Sequence, residues 1–320
     1  VDGLFNIVNG NDGYKTHYQR RNEFELHFDK LWSQLVEKKL VKRKSFQFVL
    51  NLNTYKYSPY ITFTKEQIDA LTYIMNVLNS DETDPYSEKY DRRPILINGS
   101  AGTGKTVVAT SLFHYLRNDN SYKDKKIALV VANEQMRNIL KDVFNETCEG
   151  LSKKDVISPI ELTKQKYDII ICDEVHALRR GENLVFYKKH FEAGNERLGL
   201  DNTHNELDWI LEQSEYQILF YDEKQMVKRS DIRSDYVKEK IHNNKLRGFR
   251  PIELKTQMRN KAGDSYVNYI YDILYQRSIQ KQTFENFDFK LYNSFVEMRK
   301  EISRKEDIYG LSKLCGGYAW

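Results

Sequence analysis

The sequence predicts an α/β protein: a parallel sheet with helices on both faces. Three observations carry that reading. Short, almost wholly apolar stretches recur at Ile95–Ile97, Ile127–Ala132, Ile169–Cys172 and Ile218–Tyr221, as strands buried on both faces require. Segments with helical periodicity alternate with them. The first apolar stretch also runs straight into a glycine-rich bend and an apolar helix start, ILINGSAGTGKTVVAT, residues 95–110.

Taken in order, residues 1–58 read as a separate accessory region or the end of an upstream domain. Helical spacing covers Glu23–Leu40, and Ser45–Leu52 alternates like a strand. At Thr64-Lys65-Glu66-Gln67 a helix opens whose apolar positions are Ile68, Leu71, Met75 and Leu78. An acidic loop, Asp81–Asp91, leads to the first strand, and Val107, Val108, Leu112 and Leu116 mark the helix after the bend. Next come the strand at 127, a helix over Glu134–Phe144, the strand at 169, a long polar connection, a helix near Glu206–Gln213 and the strand at 218. The expected division is a first lobe over 59–250 and the start of a second over 251–320.

The bend fills the pattern G-x-x-x-x-G-K-[ST] with Gly99, Gly102, Thr103, Gly104, Lys105 and Thr106. Glycines let successive backbone N–H groups turn inward on phosphate oxygens, and the following helix offers its positive end to the same anion. Lys105 is placed to reach the β- and γ-phosphates and the Thr106 hydroxyl to hold Mg²⁺. YDIIICDEVHAL, residues 167–178, delivers Asp173 and Glu174 at the carboxyl end of a strand. Asp173 suits the acidic partner of Mg²⁺, and Glu174 the base that deprotonates an attacking water. ILFYDEKQMV repeats the design with Asp222 and Gln225, an amide able to sense a γ-phosphate. Two readings of Gln67 stay open, a T-x-x-Q capping box with Thr64 and recognition of an adenine edge. His176 either couples the acidic strand to Gln225 or continues the turn. Arg259, in ELKTQMRN, is a candidate for stabilising charge on a transferring phosphoryl group.

Composition bounds the rest. Hydrophobic residues make up 40% of 320, enough for a core, and no apolar run approaches a membrane span. Fifty Lys and Arg against 46 acids leave a net +4, too small to indicate a nucleic-acid partner alone. Basic clusters at Lys38–Lys44 and Lys123–Lys126 read first as solvated faces. Three cysteines, Cys148, Cys172 and Cys315, show neither metal spacing nor an even disulfide framework. A reduced, cytoplasmic setting is expected.

In sequence order, FTKEQIDAL, GSAGTGKT, ALVVANEQM, IIICDEVHAL, FYDEKQMV, LKTQMRNKAGDSYVNYI and LSKLCGGYAW resemble the motifs of a superfamily-one helicase motor. They are most similar to the bacterial family of Schlafen-group-three-like DNA/RNA helicase domains, from about Thr64 to Trp320. The resemblance implies a RecA-like P-loop NTPase sheet with a partial second RecA-like lobe. It implies an ATP-dependent helicase or translocase that uses Mg²⁺, acts on single-stranded or duplex nucleic acid, and is often joined to a nuclease or other domain. By it, Gln67 recognises adenine, Gln225 couples ATP to strand movement and Arg259 acts across the cleft. A competing function with the same residues is a switch ATPase that remodels a protein partner without moving a strand. Two departures stand out. After Gln225 the chain continues Met-Val-Lys, without the aromatic-arginine-glycine run that stacks a base in many such helicases. The chain also opens on Val1 and ends at Trp320 before the last arginine motif, so a piece of a longer protein with weak hydrolysis of its own is expected.

Overall fold

A computed structural model describes residues 62–79, 94–147, 153–184, 186–226, 228–243, 251–257, 263–277, 280–284 and 287–309, with scattered residues between 30 and 57 and between 312 and 315. The strand expected at 45–52, the acidic loop 81–91, Cys148 and Arg259 lie outside these residues. The described residues fall into two compact units, one drawn from residues 1–27 and 51–259, the other from 28–50 and 260–320.

Six strands build the sheet of the first unit: β1 (Ile95–Gly99), β2 (Ile127–Val131), β3 (Val156–Ile157), β4 (Tyr167–Asp173), β5 (Ser214–Tyr221) and β6 (Ile252–Leu254). Their order is β3-β2-β4-β5-β1-β6 and every pairing is parallel. β5 therefore lies between β1, which feeds the glycine bend, and β4, which carries the acids. From β1 the chain crosses toward β2 on one side, whereas from β5 it passes beyond β1 to β6 on the other. The carboxyl ends of β1 and β5 thus flank a switch point, where ligands of open α/β sheets bind.

The period-two alternation of each strand sorts its side chains to opposite faces. Ile95, Ile97, Leu129, Val131, Ile169, Ile171, Ile218 and Phe220 line one face. They meet helices α1 (Lys65–Leu78), α2 (Lys105–Asn118) and α3 (Glu134–Thr147). Leu96, Ala128, Val130, Ile170, Cys172, Leu219 and Tyr221 line the other. There they pack on α6 (Glu206–Gln213) and α7 (Ser234–Asn243), with the one-turn α4 (Pro159–Leu162) alongside. Phe113 and Ile74, both 0% exposed, sit in the first layer. Burying each such side chain contributes roughly 1.5–3 kcal/mol.

The long polar connection between β4 and α6 contains a helix, α5 (Lys188–Leu198). Gly194 inside it disguised the pattern, yet a Cβ there would lie 2.8 Å from the Trp209 ring. Glycine lets α5 close on Trp209, whose Nε1–H donates to Asn195 Oδ1 at 2.6 Å. β6 is the sixth strand of the first sheet, so that body extends past the expected boundary at 250. Among its described residues the second unit holds α8 (Gly263–Leu274), α9 (Phe295–Tyr309) and a single antiparallel bridge, Phe284 to Phe287. Tyr266 and Tyr269 of α8 pack edge-on against Phe284 and Phe289.

Candidate active site

The bend leaves β1 at Gly99 and enters α2 at Lys105. Gly102 and Gly104 take φ of 87° and 85°, left-handed values that cost a residue with a Cβ. At Gly102 the objection is also steric, since a Cβ would fall 2.0 Å from Gln257 Oε1. Lys105 is buried, and its Nζ donates to Gly99 O at 2.7 Å and Ser100 O at 3.2 Å, with Asp222 Oδ2 at 3.4 Å. The cation curls back into its own loop and faces an acid from the end of β5.

Thr106 and Asp173 meet directly: the Thr106 hydroxyl donates to Asp173 Oδ2 at 2.8 Å. Asp173 is 0% exposed, and its Oδ1 makes no hydrogen bond of ordinary geometry among the described residues. Burial, and behind it the charge of Glu174, pushes this carboxyl well above the usual range, against the pull of Thr106 and Lys105. Glu174 follows in the left-handed region, φ 56°, which turns the chain sharply into a 3-10 turn, Val175–Ala177. There buried His176 brings Nε2 to 2.9 Å from Glu174 Oε2. His176 thus engages the acid beside it; no described contact links it to Gln225.

Three further candidates fare differently. Gln225 lies three residues past Asp222, whose carbonyl accepts its N–H at 3.2 Å. Gln67 forms the capping box: Thr64 N–H donates to its Oε1 at 2.9 Å, and its own N–H to Thr64 Oγ1 at 3.3 Å. Its Nε2 also donates to Thr103 O of the bend at 3.0 Å. The amide, 1% exposed, braces the loop from behind. Arg259 is outside the described residues.

Two residues emerge that the sequence did not point to. Glu66 Oε2 accepts the N–H groups of Lys255 at 2.8 Å and Thr256 at 3.0 Å. Burial pushes its carboxyl up, but those two N–H groups outweigh it and the net displacement is downward. Gln257, next in that segment, donates Nε2–H to Ala101 O at 2.6 Å. The first turn of α1 therefore grips the loop twice, through Gln67 directly and through Glu66 by way of Gln257. Glu66 and Lys255 are 189 residues apart, and no local pattern marks such a pair.

Residues 92–320 match the family described as Schlafen group 3, DNA/RNA helicase domain. The chain belongs to this family. An uncharacterized protein of Saccharomyces cerevisiae is 21% identical over 295 residues, 81% of this chain and 61% of that protein. The chain thus spans about three fifths of that relative's length. Among solved structures, two coordinating Pif1 helicases unwinding forked double-stranded DNA align at 16% identity over 66% of this chain and 48% of that one, with a TM-score of 0.32. AMPPCP-bound DnaA from Aquifex aeolicus aligns at 14% identity over 80% and 66%, with a TM-score of 0.31. At these scores the fold rests on the strand order above.

This Schlafen group 3 helicase domain carries a donor set that fits a divalent cation. Thr106 Oγ1 and Asp173 Oδ2 are joined, and Asp173 Oδ1 is a buried oxygen without a hydrogen bond of ordinary geometry among the described residues. In this carboxyl, burial and the Glu174 charge outweigh Thr106, Lys105 and the Glu174 N–H. Hard oxygen donors of this kind suit Mg²⁺ completed by phosphate and water. Among the described residues there is no group of three or more His, Cys, Asp or Glu that would hold a metal unaided. No helix among them is long and apolar enough to cross a membrane.

Proposed function

We propose that this domain is the nucleotide-hydrolysing part of an ATP-driven motor that acts on nucleic acid. The contact that carries the reading is Thr106 to Asp173 at 2.8 Å. It joins the start of α2 to the end of β4 at the mouth that also holds Lys105.

ATP enters with its phosphates over the inward-facing N–H groups of 99–106 and the amino end of α2. Lys105 leaves the carbonyls of Gly99 and Ser100 for the phosphate oxygens, which replace them as acceptors. Thr106 and Asp173 would hold Mg²⁺, which would supply neutralising charge to the triphosphate. Glu174 takes a proton from water as the water oxygen bonds to the γ-phosphorus. The bond from that phosphorus to the bridging oxygen breaks, giving ADP and phosphate. His176 Nε2 holds the Glu174 carboxylate in place before the step.

Movement is coupled through β5. When Lys105 turns toward phosphate, Asp222 loses its cation, and the segment beginning at Asp222 carries Gln225. From the family resemblance, Arg259 adds positive charge during transfer, Gln67 turns its amide to adenine, and residues 260–320 begin a second lobe.

The test is ATPase rate with and without single-stranded DNA or RNA at low salt. Stimulation is expected. A rate indifferent to either strand would favour the protein-remodelling switch. Glu174→Gln should retain Mg·ATP binding while turnover falls roughly 10²–10⁴-fold; turnover at the parent rate would remove Glu174 as the base.

A further inference from the structure

The segment after β5 lacks a base-stacking aromatic run, yet a different aromatic stands in the connection between β4 and α5. Phe186 is 96% exposed. Single exposed apolar residues are ordinary, but this one is held out by its neighbours. Two positions before it, Leu184 is 9% exposed and packs with Phe191 and Trp209. One position after it, Tyr187 packs on the same cluster, hydrogen-bonds Glu206 and carries the Arg179 guanidinium 4.1 Å from its ring centroid. Gly181 closes the loop against Phe191, where a Cβ would sit 3.1 Å from the ring. With both flanks pinned, the Phe186 ring projects into solvent.

Charge surrounds it. Residues 179–190, RRGENLVFYKKH, hold Arg179, Arg180, Lys188 and Lys189 against the single acid Glu182. Glu182 pairs with Arg180 at 3.1 Å, and Glu192 lies 3.7 Å from Lys188. The loop is tied to the segment beyond β5: Arg180 N–H donates to Ser230 O, Ile232 N–H to Leu178 O, and the Arg180 guanidinium to Arg229 O. That segment adds Lys228 and Arg229 and starts from Asp222 and Gln225. One strap thus connects the Phe186 loop to the acid pair through 174–178 and to the amide through 225–230.

Resting on the motor reading above, we infer that the 179–190 loop is a subsite for single-stranded nucleic acid. Phe186 stacks a base, and Lys188, Lys189 and Arg229 line the backbone path, while Arg180 is held by Glu182 and Arg229 O and fixes the loop. Base–aromatic stacking is tolerant of sequence, and cations along the path make binding salt-dependent. Strand engagement here reaches Asp222 and Gln225 through the strap.

The experiment is fluorescence anisotropy with labelled dT and U oligonucleotides at several salt concentrations, alongside strand-free ATPase. Phe186→Ala should weaken both strands roughly tenfold without changing the salt slope, the melting temperature or the strand-free rate. Phe186→Trp should restore affinity. Lys189→Ala should weaken both strands and lower the salt slope by about one. Parent-like affinity in Phe186→Ala, with the parent binding well, would overturn the subsite alone. A parent that binds neither strand at low salt would overturn the motor reading and the subsite together.

Discussion

The two halves of the pocket are in opposite electrostatic conditions. On the loop half, the Lys105 ammonium is saturated by two carbonyls and Asp222, and the loop backbone is held by Gln67 and Gln257. On the acid half, Asp173 keeps a buried oxygen without a hydrogen bond of ordinary geometry among the described residues, beside a second carboxylate. The cation is well supplied with acceptors, whereas the donors around Asp173 are outweighed by burial and the neighbouring charge. On the proposed reading, phosphate oxygens would replace the carbonyls around Lys105 and Mg²⁺ would offset the buried charge of Asp173, which favours binding the pair over either component.

Removing the saturated cation is the largest way to break this contrast. Lys105→Ala should reduce nucleotide affinity by roughly a hundredfold, the scale of a lost charge-assisted hydrogen bond. It should also lower stability by about 3 kcal/mol, because buried Asp222 is left facing no cation. Pairing it with Asp222→Asn should return most of that stability and none of the affinity. Titration with a fluorescent nucleotide and thermal melting read the two effects separately. Unchanged melting in the single variant would show that the Lys105–Asp222 contact is energetically silent.

The acid half predicts the opposite sign. Asp173→Asn should stabilise the nucleotide-free protein by about 1–3 kcal/mol, because a neutral amide replaces a buried carboxylate whose charge is desolvated, while abolishing the Mg²⁺ dependence of ATP binding. Glu206 sharpens the point, being equally buried but hydrogen-bonded to Arg179 N–H and Tyr187. Burial nevertheless raises its carboxyl from 4.5 to about 7. A raised folded value means its contribution is fully present below pH 4.5 and lost as pH climbs through 7. The gap corresponds to about 3 kcal/mol at most. Melting curves of Glu206→Gln should match the parent near pH 4.5 and exceed it increasingly toward pH 8, with no effect on nucleotide. Equal Mg²⁺ dependence in Asp173→Asn and the parent would remove Asp173 from the metal site.

The strands and the loop were legible because their signals are local. β1, β2, β4 and β5 each hold a short apolar run, and the four fixed positions of the phosphate pattern, Gly99, Gly104, Lys105 and Thr106, can be read without knowing any partner. β3 escaped notice because two residues cannot show alternation. α5 escaped because Gly194 and a run of charges mimic a loop, and only the Trp209 ring explains the glycine. The acid pair could be read as a motif, but its imbalance could not. That imbalance depends on which oxygen Thr106 takes and on how deeply β4 is covered, both properties of the packed sheet. Gln67 shows the same limit: its capping box is written in four residues, its bond to Thr103 is not.

The smallest expected effect tests whether the loop half is held from behind as firmly as its contacts suggest. Glu66 touches no candidate phosphate or metal ligand, and its carboxylate is partly solvated, so the two N–H bonds it accepts are discounted to about 1 kcal/mol together. Glu66→Ala should free Lys255 and Thr256, raising hydrogen exchange at those two amides and loosening the Gln257 grip on Ala101. Nucleotide affinity should then fall by less than tenfold, with Mg²⁺ dependence intact, because the acid half is untouched. Glu66→Gln, which keeps one acceptor oxygen, should fall between the parent and Glu66→Ala on both readouts. Exchange that rises at Lys255 and Thr256 without any loss of affinity would mean that Gln67 alone sets the loop, and that the β6 side of the grip serves the fold rather than the pocket.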